Sequence, residues 1–193
     1  MHGGTIEQIK GIVDKVDGYL KDREGILLYN LAQSCKGRGV IVEIGSWKGK
    51  STIWLGKGSK MGRKVKVYAI DPHSGSSEHR KEYGEVWTFP EFSRNIKKAE
   101  IDDIVVPIVK TSAEASGDFA EPVELLFIDG AHEYEFVRLD FELWYPKLID
   151  GGIMAFHDTR GWPGPKRVVN ENLSKFKNRG VVDEITYGQK LVF

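Results

Sequence analysis

The 193-residue chain has one cysteine, Cys35, and no apolar run near the roughly 20 residues that cross a bilayer. A single cysteine excludes an internal disulfide framework and suits a reducing compartment. Charge of one sign is also missing: 28 basic and 28 acidic residues give a formal net charge of +0. That balance offers no general electrostatic case for nucleic acid or an anionic membrane. Met1-His2-Gly3-Gly4 leads into a charged amphipathic segment, so the apolar core of a secretory signal is absent. No internal repeat or low-complexity tract is visible. These absences leave a soluble, cytoplasmic globular protein as the expectation. At this length one domain is expected, burying roughly 70% of its unfolded surface.

What is present is organised around Val40-Ile41-Val42-Glu43-Ile44-Gly45-Ser46-Trp47-Lys48-Gly49-Lys50-Ser51-Thr52. A β-branched apolar run carries an acid near its end, a loop with two glycines follows, and a short helix begins near Ser51. Glycine tolerates φ > 0 and lets a ligand approach the backbone. Three ligand patterns compete for this turn. A dinucleotide loop spaces its glycines two and then three apart. Here Gly45 and Gly49 are four apart, and Trp47 occupies the second glycine's place. A P-loop fits at Gly49-Lys50-Ser51 but puts Ile44 where its first glycine belongs. The pattern acid-x-Gly-x-x-x-Gly is met by Glu43, Gly45 and Gly49.

Ahead of this turn, Ile6, Ile9, Val13, Val16 and Leu20 recur at helical spacing over Thr5 to Leu20, and a second helix is expected over Glu24 to Gln33. Residues 1–38 therefore form a helical cap on a core of residues 39–193. The cap covers a sheet face, closes a pocket or makes a contact in a homo-oligomer. Further strands are expected at Val65 to Asp71, Ile104 to Val109, Glu124 to Asp129 and Ile153 to Asp158. Pro107 argues for an edge position, and the nearly all-apolar Glu124 strand for a central one. Helices are expected at Phe89 to Ala99, Glu133 to Tyr145 and Lys166 to Phe176. Gly151-Gly152 is read as a turn. The polar stretch Pro72 to Thr88 is long enough to be a functional lid. Val181 to Tyr187 and Lys190 to Phe193 read as a hairpin turning at Gly188-Gln189.

Ionisable groups end successive strands at Glu43, Asp71, Asp129 and His157-Asp158. Open α/β sheets bind ligands at that edge, and a carboxylate there can accept hydrogen bonds from both hydroxyls of a ribose. His132 sits three residues past Asp129, and a histidine's pKa near neutrality suits a general base. Trp47, Trp87 and Trp162 fall in loops at the same edge, where an aromatic ring could stack. Arg160 could bind an acceptor carboxylate. Lys48 and Lys50 read as solvated surface lysines.

Glu43/Gly45/Gly49, Asp71, Asp129-Gly130-Ala131-His132 and the run from Gly151-Gly152 to His157-Asp158 occur in this order. On those residues, positions 40–193 resemble the class I S-adenosylmethionine-dependent methyltransferases, in particular the small-molecule O-methyltransferases. The resemblance implies an α/β, Rossmann-like, mostly parallel seven-stranded sheet with a C-terminal antiparallel hairpin and helices on both faces. It implies S-adenosylmethionine as cofactor and a hydroxyl of a small molecule as acceptor. Glu43, Gly45, Ser46, Trp47, Gly49 and Ser51 would surround the methionine end. Asp71 and His73 would lie at the ribose, Ser112 at the adenine, and Asp129 against the cofactor. His132 would be the base. Asp129, His157 and Asp158 would form a divalent metal site for magnesium, manganese, iron or zinc. A histidine ligand fits the last three better than magnesium. A metal-free site, with His157 bonded within the fold, stays open. So do two other classes: a P-loop-type nucleotide hydrolase or kinase, with Leu125 to Asp129 as its acidic strand, and a cofactor-binding module without catalysis.

Overall fold

The structure, a computed structural model, describes residues 5–75 and 84–192. Helices α1 (Ile6–Val13) and α2 (Asp22–Ser34) come first, then β1 (Val40–Ile44) and α3 (Lys50–Met61). There follow β2 (Val67–Ile70), α4 (Phe89–Lys98), β3 (Val105–Ile108), α5 (Ser112–Asp118), β4 (Val123–Ile128) and α6 (Tyr134–Trp144). The chain ends with β5 (Leu148–Phe156), α7 (Pro163–Asn172), β6 (Phe176–Val182) and β7 (Ile185–Lys190). No helix among the described residues is long and apolar enough to cross a membrane.

The strands form one seven-stranded sheet in the order β3-β2-β1-β4-β5-β7-β6. β1 to β5 pair in parallel, and β7 runs antiparallel to both β5 and β6. The order reverses between β1 and β4, which opens a crevice beyond their carboxyl ends. Every residue of β4 is buried, as a central strand requires. Its side chains alternate between two cores. Leu125 and Phe127 pack with Ile9, Leu28, Trp54 and Phe92 on one face. Leu126 and Ile128 pack with Val137, Phe141, Trp144 and Val168 on the other. Pro107 lies in β3, which pairs only with β2 and forms one edge of the sheet.

Four expectations need correction. Helix α1 stops at Val13, although Val16 keeps the helical phase and stays buried. Lys48 and Lys50 hold the segment that follows: Lys48 Nζ pairs with Asp17 at 2.9 Å and Lys50 Nζ donates to Gly18 O at 3.1 Å. These two lysines are therefore not solvated spectators. Gly151-Gly152 lies inside β5, as a bulge between the Val123–Leu148 and Leu125–Ile153 pairings. The C-terminal hairpin turns at Asp183-Glu184, because Val182 pairs with Ile185. Asp183 takes the left-handed conformation, φ 48°. Gly188 is instead within β7, where an added Cβ would come 2.8 Å from Phe176 Cβ. Residues 76–83 of the polar Pro72–Thr88 stretch lie outside the described residues.

Helix α2 lies against α3 at Gly25, where an added Cβ would come 2.2 Å from Trp54 Nε1. Gly25→Ala should cost about 1–3 kcal/mol by overpacking. Gly11 in α1 has nothing within 4 Å of such a Cβ. Gly11→Ala should stabilise the protein by about 0.5–1 kcal/mol. Urea denaturation of the two variants checks both signs.

Candidate active site

The loop between β1 and α3 is shaped by its neighbours on both sides. Gly45 has φ 86°, and a Cβ there would lie 2.2 Å from Asp129 O. Glycine is needed at this position because the carbonyl of Asp129, one residue past β4, presses against it. Asp71, at the end of β2, holds the next residues. Its Oδ2 accepts from Ser46 N at 2.9 Å and Trp47 N at 2.7 Å, and its Oδ1 accepts from His73 N at 2.6 Å. Trp47 and His73 both adopt positive φ, 46° and 57°, sparsely populated for bulky residues. The loop's N–H groups thus face a carboxylate, whereas a P-loop directs such groups at phosphates.

Two cavities flank this loop. One, of about 350 Å³, is lined by Ser46, Ser51, His132, His157, Asp158 and Trp162, and by Asp17 to Leu20 from the segment after α1. The other, of about 500 Å³, is lined by Asp71, Ser74, Ser112, Ala113, Phe136 and Asp140. Gly45, Trp47, Asp129 and Gly130 line both and form their common wall. In the second cavity Ser112 Oγ accepts from Trp144 Nε1 at 2.9 Å. Burial pushes the Asp140 carboxyl up to about 6, against the opposing hydrogen bond of Ser112.

Glu43, Gly49 and His73 line neither cavity. Gly49 caps α3, with Phe92 and Ile96 beside it. His73 is fully buried among Trp87, Phe89 and Phe92, with Nδ1 2.9 Å from Thr88 Oγ1. Glu43 is fully buried beneath the loop and accepts from Thr52 Oγ1 at 2.5 Å through Oε2. Burial pushes its carboxyl up to about 8, and the negative charges of Asp129 and Asp71 add to the shift against hydrogen bonds from Ser51 and Thr52.

The strand ends bring Asp129, His157 and Asp158 together, with one ligand atom from each within 4.8 Å of the others. His157 Nδ1 lies 3.0 Å from Asp129 Oδ1 and 3.1 Å from Asp158 Oδ2. Neither contact meets hydrogen-bond geometry, so the nitrogen sits between two oxygens rather than aimed at one. Its Nε2 contacts Glu24 Oε2 at 3.3 Å. Burial opposes charge on this imidazole, but the surrounding carboxylates of Asp129, Asp158 and Glu24 outweigh it and hold the pKa well above the usual histidine range. Burial likewise opposes ionisation of Asp158, and the neighbouring imidazoles of His132 and His157 outweigh it and hold its carboxyl below the ordinary range. His132 Nε2 lies 2.9 Å from Asp158 Oδ2, its Nδ1 is buried, and its ring stacks on Trp162 at 4.3 Å between centroids.

A family model described as "Methyltransferase domain" matches residues 42–159, more than half of the chain. The chain belongs to this methyltransferase family. Within it, the sheet order and terminal hairpin are those of the class I, Rossmann-like architecture. An uncharacterized protein of Sinorhizobium fredii is 33% identical over 121 residues, covering 62% of this chain. The methyltransferase chain spans only 13% of that relative's length. Among solved structures, the O-methyltransferase NovP superposes with TM-score 0.70 at 19% identity, over 97% of this chain and 79% of NovP. The O-methyltransferase TomG from Streptomyces achromogenes, solved with S-adenosylmethionine, gives TM-score 0.64 at 16% identity, over 97% and 88%.

The candidate site contains residues that sequence spacing does not mark. Glu24 reaches His157 across 133 positions, and Asp17 to Leu20 wall the first cavity. Asp140 carries a weak signal, as an acid on the apolar side of α6.

Glu43 gives a pH test. The unfolded carboxyl titrates near 4.5, and the folded one near 8. Between these values the folded state keeps a proton that the unfolded state has released. Stability should therefore fall with rising pH by up to about 1.4 kcal/mol per unit. Glu43→Gln, measured by denaturant unfolding from pH 5 to 8, should lack this contribution and show a shallower or reversed slope.

Proposed function

We propose that the protein transfers a methyl group from S-adenosylmethionine to a hydroxyl of a small molecule. The observation that carries this reading is the pair of cavities with a common wall at Gly45, Trp47, Asp129 and Gly130. A cofactor lying across that wall has its adenosine in the cavity of Asp71, Ser112 and Asp140. Its sulfonium methyl then faces the cavity of His132 and Asp158. Asp71 retains a lone pair on Oδ1 for a ribose hydroxyl beside the loop it holds. Glu43, Gly49 and His73 act from beneath, by shaping the loop, and Ser46 and Ser51 meet the methionine end. The cofactor-bound TomG and the class I fold support the choice of cofactor.

In the reaction, an acceptor oxygen attacks the methyl carbon. The C–S bond breaks with its electron pair going to sulfur, which leaves S-adenosylhomocysteine. The hydroxyl proton passes to neutral His132, whose Nε2–H donates to Asp158, and the Asp158 carboxylate stabilises the imidazolium that forms. Trp162 holds the His132 ring by stacking and offers its free edge to the acceptor cavity.

Asp129, His157 and Asp158 fit a divalent cation. Adjacent octahedral ligands about 2.1 Å from an ion lie about 3 Å apart, and Nδ1 lies 3.0 and 3.1 Å from the two carboxylate oxygens. The mixed nitrogen and oxygen donor set favours manganese, iron or zinc over magnesium. Such an ion, when bound, would lower the pKa of the acceptor hydroxyl. The buried, unreactive Cys35, its thiol pushed up to about 12 by burial, is compatible with a reducing cytoplasm.

Calorimetric titration with S-adenosylhomocysteine should show one site per chain, and titration with ATP and magnesium should show none. ATP binding without S-adenosylhomocysteine binding would overturn the reading in favour of a nucleotide hydrolase or kinase. With any acceptor that the protein methylates, His132→Ala should lower kcat by about 10²–10⁴ while S-adenosylhomocysteine affinity stays unchanged. A binding-competent protein that methylates nothing across a broad hydroxyl panel would point to a module without catalysis.

A further inference from the structure

We propose that Glu24 is a positioning residue of the strand-end site, holding His157 through Nε2 so that Nδ1 is the nitrogen presented between Asp129 and Asp158. Glu24 precedes residues 42–159, the span matched by the family model. It is fully buried in the first turn of α2. Its Oε1 accepts from Glu184 N at 2.9 Å, and its Oε2 accepts from Lys21 N at 2.7 Å and contacts His157 Nε2 at 3.3 Å.

Helix capping alone does not explain a carboxylate here. Glutamine serves equally at the third position of a capping box. Two acceptor oxygens are required because N–H groups approach both, and a glutamine would turn its NH₂ towards one of them. The third of these donors is the imidazole. A histidine that ligates a metal commonly gives its other N–H to a carboxylate, which fixes the tautomer and the ring orientation. Glu24 stands in that place relative to Nδ1, Asp129 and Asp158. The neighbouring Gly25 seats α2 on Trp54, and the Glu184 contact ties in the β6–β7 turn, so the carboxylate is held from three sides. The N-terminal helices are thus part of the site and not only a cover for the sheet.

This inference rests on the proposed metal-assisted methyl transfer, and the experiment separates the two. Manganese(II) is titrated into the S-adenosylhomocysteine complex and followed by water-proton relaxation, for the wild type, Glu24→Gln and Asp129→Asn. The wild type should bind manganese, and Asp129→Asn should abolish binding. Glu24→Gln should bind about 10–100-fold more weakly, with S-adenosylhomocysteine affinity within about twofold as the folding control. Equal manganese affinity in a folded Glu24→Gln protein would overturn the role of Glu24. A wild type that binds S-adenosylhomocysteine but no manganese would overturn it too, and would leave the methyltransferase reading standing. Failure to bind S-adenosylhomocysteine would instead sink that reading itself. If Glu24→Gln does not fold, ring nitrogen NMR of the zinc-loaded wild type decides. Coordinated Nδ1 with protonated Nε2 is expected, and the reverse assignment overturns the proposal.

Discussion

Three backbone N–H groups, those of Ser46, Trp47 and His73, converge on the carboxylate of Asp71, and the ligand edge of the sheet depends on this convergence. A carboxylate has lone pairs enough to accept several backbone donors at once. It also fixes the direction of a loop that glycine alone would leave loose. With Gly45 pressed on the Asp129 carbonyl from the other side, the loop has one path. Trp47 is driven into a left-handed conformation and becomes a partition between the cavities. The separation of the two cavities follows from this partition. So does the rejection of a phosphate-binding reading, since the donors a phosphate would need already face a carboxylate.

The second organising feature is electrostatic. His157 lies among Glu24, Asp129 and Asp158, which come from α2, the end of β4 and the end of β5. Buried carboxylates at these separations repel one another, and each would be costly alone. One cationic imidazole, or a metal ion held beside a neutral one, relieves all three. The same balance ties the N-terminal segment to the carboxyl edge of the sheet. Lys48 and Lys50 add to this, fastening Asp17 and Gly18 beside the first cavity.

Much of the sheet was legible because its signals are local. β4 is apolar at all but one position, and β1 ends at an unusual glycine loop; strand propensity and burial agree there. The terminal residues Asp71, Asp129 and Asp158 were marked because ionisable groups stand out at the end of an apolar run. Interactions that join distant positions left no such mark. The partner of His157 is 133 residues away, and nothing in the helical pattern of α2 distinguishes Glu24 from a capping residue. Lys48 and Lys50 look like surface charges until the segment they hold is seen. The hairpin was misplaced for a steric reason. Gly188 suggests a turn, but it answers to the Phe176 side chain, while the true turn uses Asp183, a residue that tolerates positive φ without glycine. Glu43 ends the same kind of run as Asp71, yet it points below the loop and is fully buried. Glu43 lies inside β1, level with Ala69, whereas Asp71 lies one residue beyond β2, and the loop sequence does not show that difference of depth.

On the proposed function, one cofactor spans the two cavities across the Gly45–Trp47 wall. A crystal structure of the S-adenosylhomocysteine complex tests it most directly. The thioether should lie beside Gly45 and Asp129, the ribose at Asp71 and the adenine at Ser112 and Asp140. The homocysteine should lie near Ser46 and Ser51, and the open face of sulfur should look towards His132 and Asp158. A ligand confined to one cavity, or one seated with its adenine against Trp162 and His132, would contradict it.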